Sequence, residues 1–231
     1  MKLEKLRQQV CQANLELPQR GLIIYSWGNV SGIDREQGII AIKPSGISYD
    51  ELTPDKLVLL DLDGNVVEGD MNPSSDTATH LELYRSFPAI GGICHTHSTN
   101  ATVWAQACRA IPCLGTTHAD YFYGDVPVTA VMTKAQIETD YELNTGKIII
   151  ETFAGRDPMQ MSAVLVANHG PFTWGKDAAK SVESAVVLEQ VAYMAIKTAV
   201  IKSELPAISQ VLLDKHYLRK HGKNAYYGQK K

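Results

Sequence analysis

The feature that most constrains the fold is a pair of histidines, His95 and His97, in the short apolar run that starts at residue 91. Successive side chains of a β-strand point to opposite faces, so residues two apart share a face. The spacing predicts a strand that directs two imidazoles to one site, with Cys94 facing the opposite, packed side. A lone pair of this kind is common by chance, and two ordinary hydrogen-bonded histidines are the plain alternative.

Two further segments supply groups of matching chemistry. Residues 163–167 are apolar and lead to His169, and Asp76 follows Ser74-Ser75 just before a helical pattern. Three neutral imidazoles and one carboxylate suit a borderline divalent metal such as zinc, and imidazole-rich sites also accept manganese or cobalt. Together these residues predict a metal site.

The composition is that of a globular protein. The chain has 231 residues, 45% of them hydrophobic and 20% charged, and we expect a single domain spanning residues 1–231. A net charge of −3 gives no reason to expect a nucleic acid or an anionic membrane as a partner. We find no signal-peptide core and no stretch approaching the length that spans a bilayer, so a cytoplasmic location is expected. The four cysteines lack metal-type spacing and are expected to be buried, reduced thiols.

The first third of the chain predicts a helix followed by antiparallel strands. Apolar residues recur at helical spacing over residues 3–17, and Pro18 with Gly21 ends the pattern. Residues 39–42 and 57–62 are short β-like runs, the second followed by an Asp-Gly hairpin signal.

The rest of the chain predicts alternating helices and strands without a uniform βαβ repeat. The expected elements are a helix over about 77–85, a helix beginning at Ser98, Thr99 or Asn100, β or loop structure at 126–131 and 147–151, and a long helix directly after the second histidine strand. The last dozen residues read as a polar tail that ends in Tyr226-Tyr227.

Three short loops could hold a phosphate. They comprise residues 27–32, 43–46 and 73–75, and they offer backbone N–H groups, hydroxyls, an amide and one cation, with the last at a helix start. Each loop alone is most often an ordinary turn. No G-x-G-x-x-G or P-loop pattern is present, which gives nicotinamide, flavin or ATP chemistry no basis. Asp120, Glu142 and the tail tyrosines are candidate acids and bases.

These motifs resemble the class II aldolase/adducin-head family over essentially the whole chain. Within it, the chain is most similar to the L-ribulose-5-phosphate 4-epimerases. The residues that carry the resemblance are Asn29, Lys43-Pro44-Ser45-Gly46, Ser74-Ser75-Asp76, His95-Thr96-His97, Asp120, Asn168-His169-Gly170 and Tyr226-Tyr227-Gly228-Gln229. The resemblance implies an α/β fold with a central, mainly antiparallel sheet flanked by helices. It also implies a homotetramer with active sites between subunits.

The resemblance also implies a role for each motif. Zinc, for which manganese or cobalt could substitute, would be bound by Asp76, His95, His97 and His169. The substrate would be held by Gly28, Asn29, Lys43, Ser45, Gly46, Ser74 and Ser75. Asp120 and Tyr227 would be the acid/base pair, with Tyr227 in a tail of residues 217–231 that reaches a neighbouring subunit's site, so that the pair would meet across an interface.

The chemistry of a 2-ketopentose 5-phosphate agrees with this set. The C4 hydrogen is not next to the carbonyl and is not acidic, and no nicotinamide site is available for oxidation. The C4 hydroxyl is β to the ketone, so C4 can be inverted by breaking and re-forming the C3–C4 aldol bond, with zinc as Lewis acid and an acid/base group on each side of the aldehyde. L-Arabinose and L-ascorbate catabolism both use this pentose phosphate epimerisation.

Two alternatives stay open within the family. One is a sugar-phosphate aldolase of the L-fuculose-phosphate type, in which glutamate normally takes the position of Asp76, so an aspartate there favours the epimerase. The other is an interaction module like the adducin head, which lacks the metal-binding set.

Overall fold

The fold is built on one seven-stranded antiparallel sheet, in agreement with the α/β fold that the resemblance implies. The computed structural model describes residues 3–204 and 206–228, so Gln229, the last residue of the tail motif, lies outside the described residues. The strand order is β4-β3-β2-β1-β5-β7-β6. The strands are β1 (Gly28–Asp34), β2 (Ile39–Ile42), β3 (Val58–Asp61), β4 (Val66–Glu68), β5 (Gly92–Thr96), β6 (Ala163–Val166) and β7 (Gly170–Gly175).

Eight α-helices accompany the sheet in the described part of the chain. They are α1 (Glu4–Gln19), α2 (Thr77–Ser86), α3 (Thr99–Gln106), α4 (Thr116–Ala119), α5 (Lys134–Glu138), α6 (Tyr141–Thr152), α7 (Ala178–Ile201) and α8 (Gln210–His221). Two short 3-10 helices, Tyr49–Glu51 and Pro54–Lys56, precede β3.

Alternation along the strands divides the core between the two faces of the sheet. Ala41, Leu59 and Cys94 pack with α1 and the start of α7, whereas neighbouring strand residues such as Ile40 and Ile93 pack with α2 and α6. Cys94 therefore faces away from the histidines, as the strand period predicts. Burial raises the pKa of its thiol to about 12, which suits a packing role.

Residues 27–32, predicted as a phosphate-binding loop, lie at the middle of the sheet because β1 is its central strand. β1 pairs with β2 on one side and with β5 on the other, and Asn29 lies opposite His95. Residues 27–32 are therefore mostly strand rather than loop. Gly28 is required here, because a Cβ on this residue would lie 2.7 Å from the carbonyl oxygen of His95.

Several other local predictions are confirmed and some are wrong. The N-terminal helix, the β3–β4 hairpin, α2 and a helix with Ser98 as N-cap are present. Residues 147–151 belong to α6 rather than to β or loop structure, because a run of isoleucines is ambiguous between buried strand and buried helix. The strand β7 separates the second histidine strand from α7, and of the four cysteines Cys108 is exposed rather than buried.

The expectation that no stretch approaches the length that spans a bilayer is wrong for the helix α7. It is long and apolar enough to cross a membrane by length and composition alone. A stripe of small and aliphatic residues on this helix is buried, including Ala185, Leu188 and Ala192, and the helix packs against β5, β7 and α3. These contacts account for the apolar residues of the buried stripe, because a helix that lies across a sheet buries one face.

Candidate metal and phosphate site

A cavity of about 560 Å³ opens at the end of β1 and β5 where the sheet meets α2. The structure brings to it all the residues that the sequence analysis assigned to metal and substrate. They are Gly28, Asn29, Lys43, Ser45, Gly46, Ser74, Ser75, Asp76, His95, His97 and His169. Segments far apart in sequence converge here because β1 and β5 are neighbours in the sheet and the β6–β7 turn lies beside them.

Three imidazoles form the centre of the cavity. One ligand nitrogen from each of His95, His97 and His169 lies within 4.8 Å of the others, and the Nε2 atoms of His95 and His97 are 3.1 Å apart. The ring of His95 stacks on Phe172 with centroids 4.2 Å apart, and its Nδ1 lies 2.9 Å from the carbonyl oxygen of Pro171. That contact fixes Nδ1 as the donor and leaves Nε2 with a free lone pair.

The protonation states of the histidines favour metal binding. Burial, together with the neighbouring imidazoles His95 and His97, lowers the pKa of His169 to about 3. Burial and His95 also lower the pKa of His97. Neutral imidazole is the form that coordinates a cation, and three imidazoles in reach of one point suit a borderline metal such as zinc. The residues present therefore fit a divalent metal ion, whose identity the donor set leaves open.

Asp76 lies beside the histidines as the N-cap residue of α2. The ligand atoms of the three histidines lie within 4.8 Å of one another, and in the described part of the chain the Asp76 carboxylate does not belong to this group. Its Oδ2 accepts a hydrogen bond of 2.7 Å from Nδ2 of Asn29, which also lies 3.1 Å from Oγ of Ser74. Burial opposes ionisation, but the nearby His95 and His80 and the Asn29 hydrogen bond outweigh it and lower the pKa of Asp76. The carboxylate is thus ionised and held next to the imidazole cluster.

Two loops beside the three histidines provide the groups expected of a phosphate site. The backbone N–H of Ser74 donates to the carbonyl oxygen of Lys43 at 3.2 Å, and that of Ser45 donates to Asn72 at 3.0 Å, so the loops lie side by side. Ser74 and Ser75 lie directly before α2, where helix N–H groups favour an anion. The arrangement combines serine hydroxyls with a helix N-terminus.

Lys43 contributes a cation from a buried position. Its Nζ donates to the carbonyl oxygens of Ile47 at 2.7 Å and Pro44 at 3.3 Å, and the residue is 2% exposed. Burial lowers the pKa of the ammonium to about 8. An anion in the cavity would favour the charged form of this group.

Five other cavity residues received no individual metal- or substrate-binding role in the sequence analysis, although Trp27 and Pro44 lie in the predicted phosphate loops. They are Ser26, Trp27, Pro44, Tyr141 and Glu142. Glu142 was considered only as a general acid or base, and Tyr141 carried no signal. Tyr141 and Glu142 begin α6, which packs on α2, so only this helix pairing brings them to the cavity.

The two groups assigned to acid/base chemistry do not line this cavity in their own chain. Asp120 ends α4 and faces α8, where its carboxylate contacts His216, Arg219 and Lys220. Tyr227 is 60% exposed, and the guanidinium carbon of Arg219 lies 4.8 Å from its ring centroid. Both residues therefore contact Arg219 of the same chain. Burial opposes ionisation of Asp120, but hydrogen bonds from Arg219 and His216 and the charge of Lys220 lower its pKa.

Comparisons with known proteins agree with this architecture. Residues 8–196 match the family described as Class II Aldolase and Adducin N-terminal domain. A structure of L-fuculose 1-phosphate aldolase is 28% identical, with a TM-score of 0.78 over 94% of this chain and 96% of the other. YgbL from Klebsiella pneumoniae is 27% identical, with a TM-score of 0.73 over 93% and 99% of the two chains. The L-fuculose-1-phosphate aldolase of Thermus thermophilus, 23% identical, shares the fold with a TM-score of 0.68 over 88% and 99%. The chain therefore belongs to the family of class II aldolases and adducin N-terminal domains.

Proposed function

We propose that this protein is a cytoplasmic, zinc-dependent L-ribulose-5-phosphate 4-epimerase that interconverts its substrate with D-xylulose 5-phosphate. The observation that carries the proposal is the convergence of three imidazoles with two phosphate-type loops in one cavity of about 560 Å³. A pentulose phosphate needs both parts, because its reacting oxygens and its phosphate lie at opposite ends of the molecule.

The phosphate end of the substrate is assigned to the two paired loops. Ser45, Ser74 and Ser75 offer hydroxyl donors, Gly46 offers a backbone N–H group, and the buried Lys43 lines the same cavity. Binding energy from this remote group can position C3 and C4 for the chemical step, so these residues are expected to affect turnover as well as affinity.

The metal is assigned to His95, His97 and His169, with Asp76 as the fourth ligand. When bound, a divalent cation supplies Lewis-acid stabilisation of negative charge on the substrate oxygens near C2 and C3. Asn29 holds the Asp76 carboxylate through its hydrogen bond and restricts where that ligand can move. The chain thus provides three imidazoles around one point and an oriented carboxylate beside them.

Inversion at C4 requires one group to take the C4 hydroxyl proton as the C3–C4 bond breaks and another to return it on the opposite face. The fragments would be a three-carbon enediolate and glycolaldehyde phosphate, and rotation of the aldehyde exposes its other face. Asp120, which is ionised, suits the base in one direction, and Tyr227, whose phenol is exposed, suits the acid.

These two groups would come from a neighbouring subunit. In their own chain they contact Arg219 and lie outside the cavity, so a complete site needs another copy of the chain. The exposed position of Tyr227 supports this arrangement, since an exposed tail can dock on an adjacent protomer. We propose a homotetramer with a site at each subunit interface.

A second candidate function is aldol cleavage with release of fragments. The 28% identity to an L-fuculose 1-phosphate aldolase favours it. Against it stands Asp76, since glutamate is expected at this position in such an aldolase. The shorter carboxylate, held by Asn29 at 2.7 Å, is less free to leave the metal and act as a base.

Product analysis distinguishes the two functions. Purified protein with Zn²⁺ is incubated with L-ribulose 5-phosphate and, separately, with L-fuculose 1-phosphate, and the products are identified by NMR. The epimerase predicts D-xylulose 5-phosphate without accumulation of glycolaldehyde phosphate. Cleavage of L-fuculose 1-phosphate, or accumulated fragments from the pentulose, would favour the aldolase. The His97→Ala protein is the matched control for both substrates.

A further inference from the structure

The three histidines of the metal cluster are held in different ways. His95 lies on β5, with its ring stacked on Phe172 and its Nδ1 at the carbonyl oxygen of Pro171. His169 instead lies in the turn between β6 and β7, next to the exposed Asn168, which has a left-handed backbone with φ of 62°. A turn residue receives less support from the sheet than a strand residue.

One side chain compensates for this at His169. The hydroxyl oxygen of Tyr141 lies 3.3 Å from Nδ1 of His169, and the two ring centroids are 6.1 Å apart. Among the described residues, this is the hydrogen bond found for the His169 ring. The contact engages Nδ1, as the Pro171 carbonyl does for His95, and leaves Nε2 of each imidazole for a metal.

The backbone of Tyr141 is firmly anchored. Tyr141 begins α6, and its carbonyl oxygen accepts a hydrogen bond of 2.9 Å from Thr145. The next carbonyl, that of Glu142, accepts a hydrogen bond of 2.6 Å from Thr79 of α2. The helices approach closely because residue 146 is glycine, at which a Cβ would lie 2.7 Å from Cβ of Glu82. The helix α2, whose N-cap residue is Asp76, thus also anchors Tyr141.

We infer that Tyr141 is a positioning residue for the metal site, which orients the His169 imidazole through its hydroxyl. The inference rests on the proposed metal site and adds a residue to it. In the metal-binding tautomer Nδ1 of His169 carries the proton and donates it to the phenol oxygen, so the lone pair of Nε2 is directed to the cluster. The hydroxyl acts through His169 and needs no contact with substrate.

Metal affinity of the Tyr141→Phe variant tests this. Phenylalanine keeps the ring in its place and removes only the hydroxyl. We expect a roughly 10- to 100-fold loss of Zn²⁺ affinity, measured by competition with a chromophoric chelator. We also expect a changed visible absorption spectrum of the Co²⁺-loaded protein, because the geometry of one ligand changes. The urea midpoint of the metal-free protein should stay close to wild type.

The control variant is Tyr193→Phe, which removes a phenol from an exposed position on α7. It should bind Zn²⁺ as the wild type does. Equal Zn²⁺ affinity and an unchanged Co²⁺ spectrum in Tyr141→Phe would overturn the inference while leaving the proposed function intact. Failure of the wild-type protein to bind Zn²⁺ would overturn the proposed function and the inference with it.

Discussion

Arg219 holds Asp120 with two hydrogen bonds from one edge of its guanidinium. Nη2 of Arg219 lies 2.7 Å from Oδ2 of Asp120, and Nε lies 3.1 Å from Oδ1. The same guanidinium lies against the ring of Tyr227. A bidentate pair of this kind fixes geometry as well as charge. Asp120 and the C-terminal segment are thereby joined within one chain.

This relationship determines which pairs of inactive variants can complement each other. If one chain delivers both groups to its neighbour, co-expressed His97→Ala and Tyr227→Phe chains should form some complete sites. Such a site takes its histidines from a Tyr227→Phe chain and its acid/base groups from a His97→Ala chain. Random assortment makes about one site in four complete, so about a quarter of wild-type activity is expected in the mixed oligomers.

The matched control for complementation mixes two variants that are both changed in the acid/base pair. Asp120→Asn and Tyr227→Phe chains each lack one acid/base group, and no mixture of them yields a neighbour that supplies both. Their mixed oligomers should stay as inactive as the parents, each expected at least about 100-fold below wild type. Recovery of activity in this second mixture would mean that the two groups come from different chains.

The metal assignment is tested by removing one imidazole. His97→Ala should lower zinc content and activity together, because two histidines bind zinc much more weakly than three. The fold should be retained, since His97 is exposed at the cavity. Zinc content is measured by elemental analysis of the purified variant. His221→Ala is the control, because His221 contacts Asp120 and Tyr217 rather than the cavity, and its zinc content should match the wild type. Full zinc occupancy in His97→Ala would contradict the assignment.

The phosphate assignment is tested at Ser75. Loss of one hydrogen bond to a charged phosphate costs about 1.5 kcal/mol or more, so Ser75→Ala should bind inorganic phosphate and L-ribulose 5-phosphate roughly tenfold more weakly. Zinc content should not change. Inhibition by inorganic phosphate and KM for the sugar phosphate are the measurements, with Ser203→Ala, beyond the end of α7, as control. Unchanged phosphate inhibition would place the phosphate elsewhere.

Lys43 predicts a pH dependence of stability with a defined sign. Its pKa is lowered to about 8 by burial, whereas a lysine in an unfolded chain titrates near about 10.4. Between these values the unfolded chain carries a proton that the folded chain lacks, so Lys43 makes the free energy of unfolding rise with pH. Urea unfolding at about pH 8 and about pH 10 should show wild-type protein gaining stability relative to Lys43→Met over this window. Parallel pH profiles for the two proteins would show that burial does not lower the pKa of the Lys43 ammonium.

The sequence by itself determined the identity and the local spacing of the residues that we assign to the site. A two-residue period directs His95 and His97 to one site, and the hairpin signal after residue 62 pairs β3 with β4. These are local properties of the chain, set by backbone geometry and turn chemistry. The loop and helix-start residues Ser74 and Ser75 could be identified in the same way.

Only the tertiary structure decided which of those groups meet. Asn29 is in line with His95 because β1 pairs with β5, and Tyr141 reaches His169 because α6 packs on α2 through Gly146. Neither contact has a signal in local sequence, since each depends on long-range pairing of elements. The same is true of Asp120, whose partners lie about a hundred residues away on α8. The period of the apolar side chains specifies which face of a strand or helix is apolar. The burial of apolar surface then decides which neighbouring element that face packs against.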